Sequence, residues 1–332
     1  MTAAPLRLIQ VGAGAMGRAW LRTIADNPDV ELVALVDLNT AAAEQAAMEH
    51  DAAGIVITDS LEDAITRTAP DAVVDVTVPV AHSVVNITAL RAGLPVLCEK
   101  PIAPTVADAR EQARVAEETG LLLMTSQSRR YYRALSRFRD QIRALGAVGS
   151  VSTRFFKAPH FGGFREEMRH VLLVDMAIHA FDAVRYLTGS DPIAVVCVES
   201  NPPWSWFAHG ANAVAVFEFE DGSTFTYDGS WCAPGDETSW NGSWFVSGEH
   251  GTATWDGDGD PVLTGSVELA HTPASGREEI AGALEDFVDA VRTGRTPDTE
   301  VHANIVSLAM VEAAVLSAEE GRRVLLAEVL GS

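Results

Sequence analysis

"LRLIQVGAGAMGRAWLRTIADN", residues 6–27, runs from a short apolar stretch through three spaced glycines into a helical repeat. Leu6 to Val11 reads as a buried parallel strand, and Trp20, Leu21 and Ile24 recur at the spacing of one helix face. Gly12, Gly14 and Gly17 stand at the junction in the order G-x-G-x-x-G. Alone that pattern is weak, but a strand-to-helix junction is the context it requires. Gly12 permits the tight turn, Gly14 lets backbone approach a pyrophosphate, and Gly17 lets helix and strand pack closely. The first helical residues, Ala15 and Met16, then carry unpaired N–H groups toward the phosphates.

A second apolar strand, "VELVALVD", ends at Asp37, 20 residues after Gly17, where a carboxylate can accept hydrogen bonds from the adenosine ribose. Asp37 repels a 2′-phosphate, and the following Leu38-Asn39 offers no arginine to receive one. NAD rather than NADP is therefore the expected cofactor. Strands continue to alternate with helices: "DAVVDVTVP" (71–79), a helix over 82–93, "PVLCEK" (95–100), a helix over 105–120, and "LLLMTSQ" (121–127). Such spacing implies right-handed crossovers and a doubly wound parallel sheet, with ligands beyond the carboxyl ends of the strands. Thr77, Val78, Pro79, His82, Glu99 and Lys100 fall at those ends and join the cofactor candidates.

From about residue 127 the pattern changes. A basic helix precedes a strand near 150–157, and a helix over 171–187 follows the loop "KAPHFGGFREEMRH". Strands are expected around 193–199, 213–220 and 223–231, with shorter ones near 243–247, 252–255 and 266–269. Two late helices cover 281–293 and 301–319. The expected fold is α/β: a Rossmann domain over 1–126, then an α+β domain with a mostly antiparallel open sheet over 127–332. "DGDGD" (256–260) lacks the spacing of a calcium loop and reads as a turn.

The totals restrict function. The chain has 332 residues, 47% apolar and 21% charged, which is globular composition. A formal net charge of −22 repels phosphate backbones and anionic lipids, so neither nucleic acid nor a membrane is an expected partner. No run is read as long and apolar enough to span a bilayer, and no secretory signal is expected. Cys98, Cys197 and Cys232 are dispersed, which fits a reducing compartment and no zinc or other metal site. The expected location is cytoplasmic.

Two features point to chemistry. Of 24 lysines and arginines only Lys100 and Lys157 are lysines, so the chain supplies positive charge almost entirely as arginine. An arginine stays charged in a protein, whereas a partly desolvated lysine can be tuned to exchange a proton. Lys100, at the mouth of the cofactor crevice, is thus a candidate catalytic group. On the helix 171–187, Asp175 and His179 are i and i+4, with Asp182 on the same stripe. A carboxylate one turn from an imidazole can fix its tautomer and raise its basicity, as a general base requires.

Together these segments resemble the Gfo/Idh/MocA oxidoreductases, which include glucose–fructose oxidoreductase and inositol dehydrogenases. The resemblance covers nearly the full length through "GAGAMG", Asp37, "TVPVAH", "ALRAGLPVLCEKP", "SRRYYR", "DMAIHAFD", "GEHGTATWDG" and "FVDAVRTGRTPDTE". The E-K-P segment and the D-x-x-x-H pair are specific to the family, and they imply that Lys100, Asp175 and His179 form its catalytic group. The resemblance further implies hydride transfer between nicotinamide and a hydroxyl-bearing carbon of a sugar or polyol. It also implies an open sheet that serves as a subunit interface, hence a homodimer or homotetramer. Arg129, Arg130, Tyr131, His160 and Arg169, with Lys100, Asp175 and His179, are the expected substrate contacts.

The chain departs from the family where the sugar should sit. "RHVLLV" replaces a glycine-rich run before Asp175, and Ser128 begins the segment where inositol dehydrogenases tend to have methionine. Arg129, Arg130, Arg165 and Arg169 flank that place and would suit an anionic substrate, or would serve only as salt bridges to the protein's own carboxylates. The same catalytic residues also suit net glycoside hydrolysis through transient oxidation, elimination and re-reduction. A non-catalytic NAD-binding regulator is the alternative outside enzymology. Six of the seven tryptophans lie between 204 and 255, where they stack on sugars or pack at a sheet or subunit interface.

Overall fold

The computed structural model describes residues 4–50, 52, 54–267 and 276–331. It divides into two compact units, one of residues 1–128 with 276–305 and one of residues 129–275 with 306–332.

The first unit is built on six strands: β1 (Leu6–Val11), β2 (Val30–Val36), β3 (Val56–Thr58), β4 (Ala72–Asp75), β5 (Val96–Glu99) and β6 (Leu123–Ser126). They lie in the order β3-β2-β1-β4-β5-β6, and every pair is parallel. This is the order of a dinucleotide-binding doubly wound sheet, with its topological switch between β1 and β4. Those central strands carry Leu8, Ile9, Val73 and Val74 at zero exposure, because crossover helices cover both faces. The helix Val106–Thr119 ends at Gly120 in the left-handed conformation, a stop signal legible in the sequence.

Sequence patterning passes over β3 and the helices Thr40–Glu49 and Leu61–Thr68. β3 has only three residues, all half-buried, and the first of these helices buries only alanines (Ala43, Ala46 and Ala47), so neither makes a strong apolar period. One segment also departs from the division at 126/127, since residues 276–305 belong to the first unit. Arg292 Nη1 there donates to Asp29 Oδ1 at 2.8 Å, and Thr125 N donates to Thr299 O at 2.9 Å. These contacts join residues more than 170 positions apart, which no local pattern announces.

The second unit holds β7 (Val148–Phe156), β8 (Pro192–Ser200), β9 (Asn212–Phe219), β10 (Thr224–Ser230), β11 (Ser243–Gly248), β12 (Gly251–Trp255), β13 (Val262–Gly265) and β14 (Val324–Leu325). Their order is β13-β12-β11-β7-β10-β9-β8-β14, and only the β7–β10 pair is parallel. Phe181, from the helix Ile178–Thr188, packs edge-on against Phe217 at 4.8 Å and Tyr227 at 5.5 Å, so that helix covers one face of the sheet. Between β12 and β13, Asp256 Oδ1 accepts from the backbone N–H of Asp258 and Gly259, closing "DGDGD" as an Asx-type turn. The strand expected near 266–269 is instead β13, and residues 268–269 lie outside the described residues.

One further expectation changes. The helix Val301–Glu320 is long and apolar enough to cross a membrane by length and composition, but 61% of that window is buried within the protein. Its apolar residues therefore serve a core, as Val301, Leu308, Ala309 and Met310 show.

Candidate active site

The glycine turn is shaped by contacts that only glycine tolerates. Gly12 has φ +103°, and a Cβ there would come within 2.5 Å of Val76 O. A Cβ on Gly17 would strike Gly12 O at 2.4 Å, so helix and strand approach too closely for alanine. Buried Gln10 holds both carbonyls, its Nε2 donating to Gly12 O at 2.8 Å and Gly17 O at 2.9 Å. Sequence reasoning missed this residue, although an amide inside a buried strand was a signal.

Gly14 differs from both. Its φ is −67°, and a Cβ there would meet no protein atom within 4 Å. The protein leaves that side of Gly14 open, as a backbone that approaches a pyrophosphate needs. Gly14 is also the N-cap of α1 (Ala15–Ala25), which has no side-chain cap and no acidic residue in its first turn, while Met16 stands 43% exposed. That leaves the helix N-terminus suited to a pyrophosphate. Asp37 completes the fit: its Oδ2 accepts from Ala13 N and its Oδ1 from Asn39 N, both at 2.8 Å, with exposed Leu38 beside it. These residues suit an NAD molecule without change.

At the ends of β4 and β5 two loops are tied together by buried polar groups. Thr77 donates from N and Oγ1 to Asp75 Oδ1, at 3.0 and 2.7 Å. Val78 is exposed, and Pro79 opens the helix Pro79–Arg91. His82, expected among the cofactor contacts, is instead fully buried, with Nδ1 2.9 Å from Pro101 O and Nε2 3.1 Å from Thr77 O. It braces the Thr77 loop against the segment after Lys100. Glu99 is likewise turned inward: Oε1 accepts from Trp20 Nε1 at 2.9 Å and Oε2 from Lys100 N at 3.1 Å. Burial holds the carboxyls of Asp75 and Glu99 above the usual range. Lys100 itself is half-buried at this junction.

Asp75, His82 and Cys98 place ligand-type atoms within 4.8 Å of one another. They make a poor metal site, because both imidazole nitrogens face carbonyl oxygens and burial pushes the Cys98 thiol well above its ordinary value.

In the second unit the helix expected over 171–187 is not regular. Leu172–Ala177 forms a π-helical turn that passes into an α-helix at Ile178. Such turns place side chains where a regular helix cannot and recur at functional sites. Asp175 sits in the π turn and His179 just beyond it, so the regular i, i+4 stacking expected of them does not describe their backbone. Asp175 Oδ2 instead accepts from Arg165 Nε at 2.9 Å. Both Asp175 and His179 are half-buried. His179 lines a cavity of about 10 Å³ with Arg129, Leu135, Ala183, Asn241, Trp244 and Trp255.

Other candidates are not among the residues lining that cavity. Arg130 makes two 2.7 Å hydrogen bonds to buried Asp182, which also accepts from Ser307 Oγ at 2.8 Å. That buried pair is structural in character. Arg169 donates to Glu319 Oε1 at 2.7 Å on the surface. Exposed His160 stacks on Trp206 with ring centroids 3.8 Å apart. Tyr131 is half-buried in a 3₁₀ turn over Ser128–Tyr131. Of the clustered tryptophans, Trp231, Trp244 and Trp255 are buried, whereas Trp204 and Trp240 are exposed. The group that the second unit does bring to one cavity is Arg129 and His179.

Strand order, glycine turn and ribose carboxylate define the first unit as a dinucleotide-binding domain of the dehydrogenase type. Family profiles agree: one described as an oxidoreductase family with an NAD-binding Rossmann fold matches residues 6–127, and that of the GFO/IDH/MocA C-terminal domain matches 138–254. The chain is 31% identical to the rhizopine catabolism protein MocA of Rhizobium meliloti, over 93% of each protein. It is 30% identical to an inositol 2-dehydrogenase of Corynebacterium glutamicum, over 65% of this chain and 64% of that one. An Agrobacterium radiobacter oxidoreductase, crystallised with NAD+, L-tartaric acid and magnesium, shares the fold at a TM-score of 0.85 with 19% identity, over 97% and 99% of the two chains. The protein belongs to the Gfo/Idh/MocA family of NAD-dependent oxidoreductases.

Proposed function

We propose that the protein transfers a hydride between NAD and a hydroxyl-bearing carbon of a sugar, sugar derivative or polyol. The observation that carries this reading is Lys100, half-buried at the carboxyl end of β5 in a chain that otherwise uses arginine for almost every positive charge. A catabolic MocA protein and an inositol dehydrogenase among the relatives support the substrate class.

NAD supplies the hydride acceptor. The protein's part is to hold the reacting hydroxyl and move its proton. His179 takes that proton as general base. Lys100 donates a hydrogen bond to the same oxygen and stabilises the alkoxide-like charge that develops. Asp175, fixed by Arg165, orients the reacting groups, and Val78 with Pro79 packs along the nicotinamide side. The reaction needs neither a membrane nor a nucleic acid, and dispersed, buried Cys98, Cys197 and Cys232 suit a reducing, cytoplasmic setting. The functional form is a homodimer or homotetramer.

A panel of sugars, polyols and aryl glycosides incubated with NAD tests the reading, with absorbance at the NADH band and products both followed. NADH formation with at least one sugar or polyol is the expected result. Release of aglycone without net NADH would replace dehydrogenation by redox-neutral glycoside cleavage. Tight NAD binding with no turnover of any member would leave a regulator.

A further inference from the structure

Four arginines flank the segments read as facing the substrate, and the structure separates them by what they already hold. Arg130 is bound to Asp182, Arg165 to Asp175 and Arg169 to Glu319. Arg129 has no carboxylate within ion-pair distance among the described residues. Its Nη2 donates to the Met176 sulfur at 3.8 Å, a weak acceptor. The phenols of Tyr132 and Tyr227 face it, and the imidazole of His179 lines the same cavity. Tyr227 is 1% exposed, and burial drives its hydroxyl far above its usual range, so it brings no negative charge.

This is an unusual place to leave a guanidinium. The protein carries 46 acidic residues against 24 basic ones, so counter-charges are abundant. Arg129 is half-buried, and desolvation lowers its pKa to about 10, the mark of a cation that has lost water without gaining an anion. An uncompensated, partly desolvated charge is costly unless a ligand completes it. Arg129 also lines the same small cavity as His179 and Asn241, within the group to which the reaction has been assigned.

We infer that Arg129 is a receptor for a carboxylate on the substrate, and that the protein acts on acidic sugars or polyols in preference to neutral ones. A guanidinium presents parallel N–H donors that match the two oxygens of a carboxylate, and the pair is strongest where water is thin. A neutral polyol would leave the charge uncompensated. Arg129 therefore sets specificity, while Lys100 and His179 act on the hydroxyl. This inference rests on the proposed oxidoreductase reading, and narrows its substrate class.

The test compares glucuronate, galacturonate and gluconate with glucose, galactose and glucitol, using the NAD-loaded protein. Both kcat/KM and equilibrium binding by calorimetry are measured, for wild type, Arg129→Lys and Arg129→Gln. At least one acid should bind or turn over on the order of 10–10²-fold better than its neutral counterpart, the scale of a charge-assisted hydrogen-bonded pair. In Arg129→Gln that ratio should fall toward one, chiefly through KM and binding, and Arg129→Lys should retain only part of it. Neutral members matching or exceeding their acids in both measurements would overturn the inference while leaving dehydrogenation intact. An acid preference unchanged in Arg129→Gln would overturn the assignment to this residue. Acids that bind through Arg129 with no member turned over would support the receptor and remove the oxidoreductase reading instead.

Discussion

At Asp37 both carboxylate oxygens are held by backbone N–H groups of the glycine turn and of Asn39, so the negative charge keeps a fixed position beside the ribose site. A 2′-phosphate brought there meets a like charge, and the following Leu38-Asn39 offers no arginine to offset it. NAD should therefore bind at least about 10-fold more tightly than NADP in a fluorescence titration, as like charges at this range cost on the order of a pKa unit or more. Asp37→Ala should narrow the gap, and equal affinities in the wild type would remove the carboxylate as the discriminator. Lys100 gives a second test at this scale. A compact ammonium can reach a substrate oxygen and share a proton with it, whereas the broader guanidinium stays charged. Lys100→Arg should keep NAD binding and melting temperature, because both the positive charge beside buried Glu99 and the backbone N–H that contacts it remain; Lys100→Met should keep NAD binding. Turnover should drop on the order of 10²-fold or more, as when a donor to a developing oxyanion is lost. Wild-type turnover in Lys100→Arg would show that shape and titratability are irrelevant at this position. Gly12, Gly17 and Asp37 were legible because their roles are set by neighbours in sequence and a known turn geometry. The inward roles of His82 and Glu99 were not, since their partners Pro101 and Trp20 lie 19 and 79 positions away.

The π turn Leu172–Ala177 is the element whose form the apolar spacing did not announce. Leu172, Leu173, Met176 and Ala177 bury themselves as they would in an α-helix, so burial alone cannot report one extra residue in a turn. Just before it, side chains fix the backbone. His170 has φ +53°, a conformation that side-chain-bearing residues seldom adopt, and it is pinned there by Glu199 Oε2 at 2.6 Å and Glu319 Oε1 at 3.1 Å. The hydrogen bond to Glu199 is the main cause that raises the His170 pKa, with Glu319 adding to it. The folded-state value thus lies above the unfolded value of about 6.5. The stabilisation is fully present below that unfolded value and is lost as pH rises through the folded one. His170→Asn, which tolerates the same backbone conformation but carries no charge, should lower the melting temperature more at pH 6 than at pH 9. An equal decrement at both pH values would mean that the imidazolium contributes nothing to holding this segment.

Across the whole molecule the apolar pattern was a better guide to sheets than to the path of the chain. Each strand of the first sheet except β3 follows from a run of β-branched or aliphatic residues between turn signals, and β7 to β12 of the second follow from their own runs, whereas β13 lies earlier than expected and the two-residue β14 has no signal of its own. The return of residues 276–305 to the first unit depends on contacts with segments some 170 to 260 positions earlier, which one sequence cannot display. The second sheet carries a further consequence for assembly. On β8 and β9 the residues pointing away from the covering helix are Val196, Val198, Val214 and Val216, from 41% to 65% exposed. Strand register sets Val196 beside Val216 and Val198 beside Val214, so the four valines form one contiguous patch. Scattered exposed aliphatics need no explanation, but a contiguous β-branched face favours burial against another surface. A protein of net charge −22 must offset considerable self-repulsion to associate, so the apolar contribution has to be substantial and association should strengthen with salt. Sedimentation equilibrium at physiological ionic strength should therefore report a dimer or tetramer. Val198→Glu combined with Val216→Glu should shift it toward monomer while each protomer keeps its sheet, since both side chains point outward. A monomeric wild type, or a double variant that assembles as before, would place the subunit contact elsewhere or remove it.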